Sequence, residues 1–204
     1  MNDYKLGFLF LGAGSSSRML GDDKLLKKVN GVTQIQKILN EALALNFPVF
    51  VTIPANNNQR KDAISKTNAL IIEVENSHLG MGHSLAVGVN KISQDSNFES
   101  IAICPSDLPE LTTAALKEVI DFSLEFPEMI CCPIDENKTT TGHPVIFPRK
   151  YFHSLMKITG DIGAKEVLTK EKKSINYFTT NTRSYFLDLD TPEEWSSWTN
   201  FHKT

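Results

Sequence analysis

Two cationic side chains close behind a loop of small residues are the strongest chemical feature of the chain. The loop is Gly12-Ala13-Gly14-Ser15-Ser16-Ser17, and Arg18 and Lys24 follow it. Residues without bulky side chains let the backbone approach an anion, and successive N–H groups can form an anion-binding concavity. Fixed cations can then neutralise the charge that the amides leave. The pattern predicts a polyphosphate-binding site.

The loop matches neither of the two best-known phosphate-binding motifs. No Gly-x-x-x-x-Gly-Lys-Ser/Thr string occurs in the chain. Ser17 stands where the dinucleotide fingerprint Gly-x-Gly-x-x-Gly has its third glycine. An ordinary glycine-rich turn between a strand and a helix is the alternative interpretation. Arg18 and Lys24 favour the phosphate site over that alternative.

A carboxylate follows another strand candidate. Asp107 lies in the segment Pro105-Ser106-Asp107-Leu108-Pro109, directly after the apolar run at residues 100–104. Ligands of open parallel sheets bind beyond the carboxyl ends of the strands. Mg²⁺ prefers one or two carboxylates together with substrate phosphates and water. Asp107 is therefore predicted to hold a divalent cation over a triphosphate. The alternative is that Asp107 caps the helix that begins near Thr112, although the gap between them is long.

A second acidic segment comes near the end of the chain. Asp190 or Thr191 can cap a helix that has Pro192 at its first position, which is a common helix start. The same segment can instead supply a second carboxylate, from Asp190 or Asp188, to the metal site of Asp107. Both interpretations stay open at this stage.

Three further segments combine small residues with polar ones. Gly82 and Ser84 stand at the start of a predicted helix, whose free amides suit an anion or the edge of a base and sugar. A tight turn into an amphipathic helix is the alternative there. His143, between a glycine and a proline, can touch an acceptor phosphate or can be an ordinary loop histidine. The segment 160–164, which contains Asp161, repeats the small-residue pattern and can close over an acceptor.

Alternating apolar runs and helical periodicities must position these residues. The strand candidates are residues 6–11, 49–53, 69–74, 100–104 and 129–134, and the helix candidates are residues 35–43, 84–92 and 112–124. This rhythm predicts an α/β fold with a parallel sheet covered by helices on both faces. After residue 135 the rhythm breaks. There we predict an insertion at 139–148 with a short strand at 144–147, strands at 175–178 and 184–187, and a closing helix from Pro192.

Composition bounds the class of protein. The 204 residues carry a net charge of −3, so no basic surface for duplex nucleic acid is expected. No apolar run reaches the ~18 residues of a membrane span, and no signal-peptide pattern is present. Three cysteines without metal-site spacing predict buried thiols in a reducing compartment. We expect one domain over residues 1–204, located in the cytoplasm.

Six blocks, taken together and in this order, resemble the molybdenum cofactor cytidylyltransferase family. They span nearly the whole chain and comprise residues 11–24, 80–88, 105–109, 142–147, 160–168 and 188–194. The resemblance implies a three-layer, Rossmann-like nucleotidyltransferase fold with a mostly parallel central sheet. It implies a reaction in which CTP transfers its cytidylyl group to the phosphate of molybdopterin and pyrophosphate leaves. It also implies Mg²⁺, and as partner a recipient molybdoenzyme or its chaperone.

The resemblance and the residue pattern together assign a role to each candidate residue. The catalytic group comprises Arg18, Lys24 and Asp107, and the metal ligands are Asp107 and Asp190, with Asp188 as the alternative second ligand. The nucleotide contacts are Leu11, Gly12, Ala13, Gly14, Ser15, Gly82, Ser84, Pro105 and Ser106. The acceptor contacts are Gly142, His143, Pro144 and Asp161.

Two other functions fit the same residues. The guanosine-attaching sister family typically carries Gly-Gly where this chain has Ala13-Gly14, so Ala13 favours CTP. A nucleotidyltransferase that uses GTP, or that transfers to a sugar phosphate or an alcohol phosphate, is the first alternative. A non-catalytic carrier of the cofactor is the second, and the presence of Arg18, Lys24 and Asp107 argues against it.

Overall fold

A seven-stranded sheet forms the middle of the protein. The computed structural model describes residues 6–202. Its strands are β1 (Leu6–Leu11), β2 (Lys28–Val29), β3 (Val32–Thr33), β4 (Val49–Pro54), β5 (Leu70–Val74), β6 (Ser100–Pro105), β7 (Ile130–Asp135), β8 (Val145–Pro148) and β9 (Ile175–Thr180). The sheet has the order β5-β4-β1-β6-β8-β7-β9, while β2 and β3 form a separate small hairpin. Every neighbouring pair in the sheet is parallel except the two pairs that β8 makes.

Helices cover both faces of this sheet. They are α1 (Gln34–Leu43), α2 (Asn58–Ile64), α3 (Met81–Ser93), α4 (Thr113–Leu124), α5 (Phe152–Leu155), α6 (Lys165–Lys170) and α7 (Pro192–Phe201). Buried residues of α1, α2 and α4 belong to one apolar cluster, and those of α3, α5 and α6 belong to a second. The protein therefore has three layers.

The alternation of side chains along β1 explains the two clusters. Phe8 and Phe10 point into the first cluster, whereas Leu9 points into the second. Successive residues of a strand face opposite sides of the sheet, so a strand buried on both faces is apolar throughout. This arrangement confirms the predicted α/β fold with a mostly parallel central sheet. The extreme ends of the predicted domain, residues 1–5 and 203–204, lie outside the described residues.

The short strand predicted at residues 144–147 is confirmed as β8 (Val145–Pro148), but the interpretation of residues 139–148 as an insertion is wrong. Its strand, β8, lies inside the sheet between β6 and β7 and is antiparallel to both. Val145 and Phe147 are buried, as a central strand requires. Because β8 is antiparallel, the residues that precede it lie at the carboxyl end of β6. The chain reversal thus brings His143 to the edge of the sheet where the site is expected.

The strand predicted at residues 184–187 is also wrong. Arg183–Tyr185 forms a single 3₁₀ turn, and Tyr185 is fully buried. The Tyr185 hydroxyl donates to the Ala115 carbonyl at 3.1 Å, so the side chain packs under α4. Burial here comes from one aromatic anchor rather than from a strand. The helices α2 and α5 and the β2–β3 hairpin are not predicted.

The cysteines and the helices agree with the composition-based expectations. Cys104, Cys131 and Cys132 are free and buried. Burial raises the pKa of the Cys131 thiol to about 11 and that of Cys132 to about 12, so neither is a ready nucleophile. Within residues 6–202, no helix is long and apolar enough to cross a membrane.

Candidate active site

A cavity of about 380 Å³ opens at the carboxyl edge of the parallel strands. It lies where open α/β sheets bind their ligands. Residues that the sequence singled out line much of it: Leu11, Gly12, Ala13, Gly14, Ser15, Lys24, Ser84, Pro105, Asp107 and Asp161. The fold therefore gathers the small-residue loop, the start of α3 and the end of β6 around one space.

The loop after β1 is fixed at its base by its neighbours. The Gly12 N–H donates to the Thr52 carbonyl at 2.9 Å, and the Ser106 N–H donates to the Leu11 carbonyl at 3.2 Å. A Cβ on Gly12 would lie 3.0 Å from the Thr52 carbonyl oxygen, so this glycine is needed for packing. A Cβ on Gly14 would meet nothing within 4 Å. The space that Gly14 leaves open therefore belongs to the cavity side of the loop.

Lys24 is the centre of the charged groups at this edge. It begins a 3₁₀ turn whose N-cap is Asp23, and the Asp23 side chain accepts from the Leu25 N–H. Its Nζ donates to Asp190 Oδ1 at 2.6 Å and also contacts Asp107 Oδ2. Burial disfavours the charged ammonium, but the two carboxylates outweigh that effect and raise the pKa of Lys24. Lys24 is thus a firmly charged counter-ion for both predicted metal ligands.

The Arg18 guanidinium contacts the Asp190 carboxylate, which also accepts from Lys24, but neither Arg18 nor Asp190 is among the residues that line the cavity. The side chain of Arg18 is 70% exposed. Its neighbour Met19 is almost fully buried and packs in a small cluster with Leu189 and Trp195. This apolar anchor holds the exposed arginine close to the segment that precedes α7.

In the second acidic segment, different residues cap the helix and pair with the cations. Thr191 is the N-cap of α7, and its side chain and that of Glu194 form a reciprocal capping box. The side chain of Asp190 is not used as the cap and faces Lys24 and Arg18 instead. Burial tends to raise the pKa of Asp190, but the hydrogen bond and charge of Lys24, with Arg18, hold it below its usual value. Asp190 is therefore ionised at neutral pH.

The carboxylates near Lys24 suit a divalent cation that is also held by phosphate. Asp107 Oδ1 is buried and has no hydrogen-bond partner among the described residues. The Leu189 N–H donates to the Asp107 carbonyl at 3.4 Å, which brings the preceding Asp188 close to Asp107. Burial, and next the Asp107 charge, raise the pKa of Asp188. In the described part of the chain, no group of three or more His, Cys, Asp or Glu side chains is arranged to hold a metal alone. Two carboxylates plus phosphate oxygens match the preference of Mg²⁺.

Two of the predicted nucleotide contacts stand behind the cavity wall. Ser106 is almost fully buried, and its carbonyl accepts from Gln34 Nε2 at 3.0 Å. The Gly82 N–H donates to the Gly160 carbonyl at 2.7 Å, and a Cβ on Gly82 would collide with residues 158–160. Both residues support the wall, and neither is among the residues that line the cavity.

The predicted acceptor residues fall into two places. Asp161 lines the cavity beside Gly80, where a Cβ would lie 2.4 Å from Asp161 Oδ1. The other three precede β8. Gly142 is buried, its N–H donates to the Pro133 carbonyl at 2.8 Å, and a Cβ there would meet the Tyr185 carbonyl. His143 and the buried Pro144 follow it, outside the set of cavity-lining residues.

His143 lies within the electrostatic influence of Asp107. Burial lowers the pKa of His143, while the charge of Asp107 opposes that effect without reversing it. The imidazole is therefore neutral at pH 7. Its Nδ1 is buried without a partner among the described residues. A neutral imidazole of this kind can accept or donate one hydrogen bond at the edge of the site.

Sequence reasoning missed several residues of this site. Ser77 and His78 line the cavity from the turn before α3, and Met81 lines it from the first residue of α3. Arg60, from α2, lies under the loop and donates to the carbonyls of Gly12 and Gly14. The only sequence signal for Arg60 was its position in a polar segment after a strand, which is common to many exposed arginines.

Fold and site together define a nucleotidyltransferase of the Rossmann-like class. A family model described as the MobA-like NTP transferase domain matches residues 8–175, and the chain belongs to this family. This result confirms the predicted enzyme class. A search of curated proteins found no match.

Solved structures share the fold over nearly their whole length. Rv0371c from Mycobacterium tuberculosis H37Rv is similar with a TM-score of 0.80 at 23% identity, covering 97% of this chain and 98% of that one. Its complex with manganese is similar with a TM-score of 0.77 at 20% identity, covering 95% and 97%. A nucleotidyl transferase from Methanothermobacter has a TM-score of 0.76 at 17% identity, covering 97% of both chains. At these identities the likeness establishes the fold.

Proposed function

We propose that the protein transfers the cytidylyl group of CTP to the phosphate of molybdopterin, giving the cytosine dinucleotide cofactor and pyrophosphate. The observation that carries the proposal is the set of charges around Lys24. Two carboxylates and two cations neutralise one another beside a loop whose glycine leaves space open. Such a set can exchange its internal partners for a triphosphate and its metal ion.

The loop would hold the triphosphate through its backbone. Gly12, Ala13, Gly14 and Ser15 line the cavity and carry no large side chain that would keep a phosphate away. Leu11, Ser84 and Pro105 border the same space and would contact the base and sugar. Gly82 and Ser106 would act by supporting the wall behind these contacts.

Arg18 and Lys24 would neutralise the phosphates. Arg18 is mostly exposed, so it can leave Asp190 for the β- and γ-phosphates at little cost. Lys24 is already charged at neutral pH and would move from its carboxylates toward the α-phosphate. Released in this way, Asp107 and Asp190 become free to ligate metal.

The carboxylates fit a resident divalent cation. Asp107 would hold it through the unpartnered Oδ1, and Asp190 or Asp188 would supply the second oxygen. When bound, Mg²⁺ supplies charge neutralisation for the triphosphate and its leaving pyrophosphate. The manganese complex of the similar mycobacterial protein supports a divalent metal in this fold.

The transfer itself requires little acid–base chemistry from the protein. A phosphate monoester has a second pKa near ~6, so the acceptor phosphate is largely a dianion at neutral pH. One of its oxygens attacks the α-phosphorus, a new P–O bond forms, and the bond to pyrophosphate breaks on the opposite side. Catalysis then consists of positioning and charge neutralisation.

The acceptor would approach from the side of Asp161 and of the segment 142–144. His143 belongs to that segment, and its neutral imidazole would hydrogen-bond an acceptor phosphate without attracting the triphosphate away from Arg18. Gly142 and Pro144 would fix the backbone that presents it. A recipient molybdoenzyme or its chaperone would take the product in the cytoplasm, where free buried thiols are expected.

The test is pyrophosphate release with Mg²⁺ and molybdenum cofactor, with CTP and GTP in parallel. The product is identified by mass as acceptor plus CMP, and cofactor lacking the terminal phosphate serves as the control without a nucleophile. We expect turnover with CTP that requires the terminal phosphate. Turnover with GTP alone would contradict the choice of base. Turnover only with a sugar phosphate or an alcohol phosphate would contradict the choice of acceptor. Cofactor binding without any turnover would favour a carrier.

A further inference from the structure

Arg60 is the one charged side chain that is almost completely buried in the described part of the chain, with 2% of its surface exposed. It lies on the first turn of α2, where the Asn57 side chain accepts from the Arg60 N–H. Burying a guanidinium is costly unless its charge is paired and its donors are satisfied. The position must therefore be compensated by its surroundings.

All five N–H donors of the guanidinium are used. Nε donates to Asp23 Oδ2 at 2.7 Å, and Nη2 donates to Asp23 Oδ1 at 2.8 Å and to Ser16 Oγ at 3.3 Å. Nη1 donates to the carbonyls of Gly12 at 2.5 Å and Gly14 at 2.8 Å. An arginine has no further donor to offer. Arg60 thus cannot contact a ligand without giving up a partner in the loop.

The two carbonyl contacts fix which way the loop amides point. In a trans peptide the C=O and the following N–H point in opposite directions. Because Arg60 holds the carbonyls of Gly12 and Gly14 behind the loop, the N–H groups of Ala13 and Ser15 are directed to the other side. That side is the cavity, which both residues line. The contacts also keep two partly negative oxygens away from any bound phosphate.

Arg60 is coupled to Lys24 through the same carboxylate. Asp23 Oδ1 accepts from the Leu25 N–H at 3.0 Å and so caps the 3₁₀ turn that begins at Lys24. One guanidinium therefore orients both the loop amides and the turn that carries the cation. Its charge is neutralised by Asp23, so its effect on a ligand is one of geometry.

We propose that Arg60 is a positioning residue for polyphosphate binding, acting through the carbonyls of Gly12 and Gly14 and through Asp23. The proposal rests on the nucleotidyltransferase class of the protein and is independent of the choice of CTP and molybdopterin. It assigns a functional consequence to a residue that does not line the cavity.

The experiment measures binding of two probes, inorganic tripolyphosphate and CTP, each with Mg²⁺, by calorimetry. The variant is Arg60→Lys, which keeps the charge but has three donors on one nitrogen and cannot span two carbonyls and Asp23. Arg149→Lys is the matched control. Arg149 also donates to backbone carbonyls, those of Ser93, Asp95 and Phe98, but it follows β8 at the opposite edge of the sheet. Folding of each variant is checked by circular dichroism.

Arg60→Lys should weaken both probes by about 10-fold or more, and by the same factor, because they share only the phosphates. Arg149→Lys should bind both probes as the wild type does, even if its melting temperature falls. Folded Arg60→Lys protein with wild-type affinity would overturn the proposal, as would an equal loss in both variants. If wild-type protein binds neither probe, the phosphate site itself fails, which is a distinct result.

Should Arg60→Lys not fold, Asp23→Asn replaces it in the same titration. Asparagine keeps one acceptor oxygen but turns an amide N–H₂ toward the guanidinium, so the carboxylate link is broken on one side. The expected result is again an equal weakening of tripolyphosphate and CTP. Wild-type affinity for both probes in this variant would contradict the proposal.

Discussion

Two ion clusters flank the loop after β1, and they differ in what they are free to do. The front cluster comprises Arg18, Lys24, Asp107 and Asp190, of which Lys24 and Asp107 line the cavity. The back cluster comprises Arg60 and Asp23 and lies under the loop. Both pair cations with carboxylates, yet Arg18 is 70% exposed whereas Arg60 is 2% exposed with every donor used. The same pairing of charges therefore suits an exchange of partners in the proposed function of the front cluster and structural support in the back cluster.

The energetic difference follows from burial. An exposed ion pair contributes about 0–1 kcal/mol, so the front cluster loses little when Arg18 changes partner. Removing one member of a buried pair costs about 3–5 kcal/mol, because the other charge is left uncompensated. Substitution of the exposed Arg18 should therefore change activity more than stability. Substitutions of Arg60 or Asp23 should change both, and so should those of Lys24 or Asp107, whose side chains are only 16% and 14% exposed.

The largest effect is expected for Asp107→Asn. The substitution keeps the shape of the side chain but removes the charge that would ligate metal, so turnover should fall by at least ~10²-fold, as for the loss of one transition-state contact. Folding should be retained. Steady-state pyrophosphate release measures the change, and a well-folded variant with near-wild-type turnover would remove the metal assignment.

Arg18→Ala tests the other end of the front cluster. The truncation removes a phosphate counter-ion from an exposed position, so we expect turnover to fall by ~10²-fold with a melting temperature close to that of the wild type. The same assay and a thermal melt give the answer. A drop in melting temperature without a drop in turnover would move Arg18 into a supporting role.

Gly14→Ala tests whether a glycine is needed at this position for ligand binding rather than for packing of the protein. A Cβ there meets nothing within 4 Å in the free protein, so stability should be unchanged, while a bound triphosphate would be displaced and affinity should fall by about 10-fold. Gly12→Ala is the matched control. Its Cβ would lie 3.0 Å from the Thr52 carbonyl, so it should lower the melting temperature. Calorimetric titration with CTP that shows unchanged affinity in Gly14→Ala would contradict the backbone contact.

The smallest effect is expected for Glu41→Gln. This substitution removes a carboxylate that belongs to neither cluster. Burial tends to raise the pKa of Glu41, but the O–H and N–H donors of Thr113 outweigh it and lower the pKa below its usual value. When the pKa of a carboxyl group is lower in the folded state than in the unfolded state, its ionised form stabilises the fold. This stabilisation is present at pH values above the unfolded-state pKa and is lost as the pH falls through the folded-state pKa. At pH 7 the free energy of unfolding of the variant should be about 1 kcal/mol lower than that of the wild type. The two proteins should become equally stable below pH ~4, where Glu41 of the wild type is also neutral.

Denaturant unfolding at several pH values measures this difference. Turnover at pH 7 should equal that of the wild type. A stability deficit that grows as the pH falls would mean that the Thr113 hydrogen bonds do not favour the ionised form of Glu41.

The sequence predicted those parts of the fold whose signals are local. β1 is a continuous apolar run and was predicted with its observed bounds, and the helix predicted at 112–124 is α4, with Thr112 as its N-cap. The central position of β8 could not be predicted, because order in a sheet depends on pairing with distant segments. The apolar residues at 184–187 have the composition of a strand, which explains the wrong prediction. Tyr185 is buried because its side chain packs against α4, and this contact cannot be predicted from the local sequence.

The same limit applies to the site. The carboxyl-edge rule located the loop, Lys24 and Asp107 from the residues that follow each strand. Arg60 was invisible, because its partners in the loop and at Asp23 are 37 to 48 residues away and nothing in the local pattern marks it as buried. Gly142 was assigned to an acceptor, whereas its close packing against Tyr185 gives it a structural reason that only the folded chain contains.

The most direct test of the account follows Mn²⁺ by electron paramagnetic resonance as protein is titrated with and without CTP. Protein-bound Mn²⁺ is counted after subtraction of the Mn²⁺–CTP signal in buffer. We expect CTP to draw Lys24 and Arg18 away from Asp107 and Asp190 and so to strengthen Mn²⁺ binding in the wild type but not in Asp107→Asn. Equal CTP-dependent Mn²⁺ binding by the two proteins would contradict it.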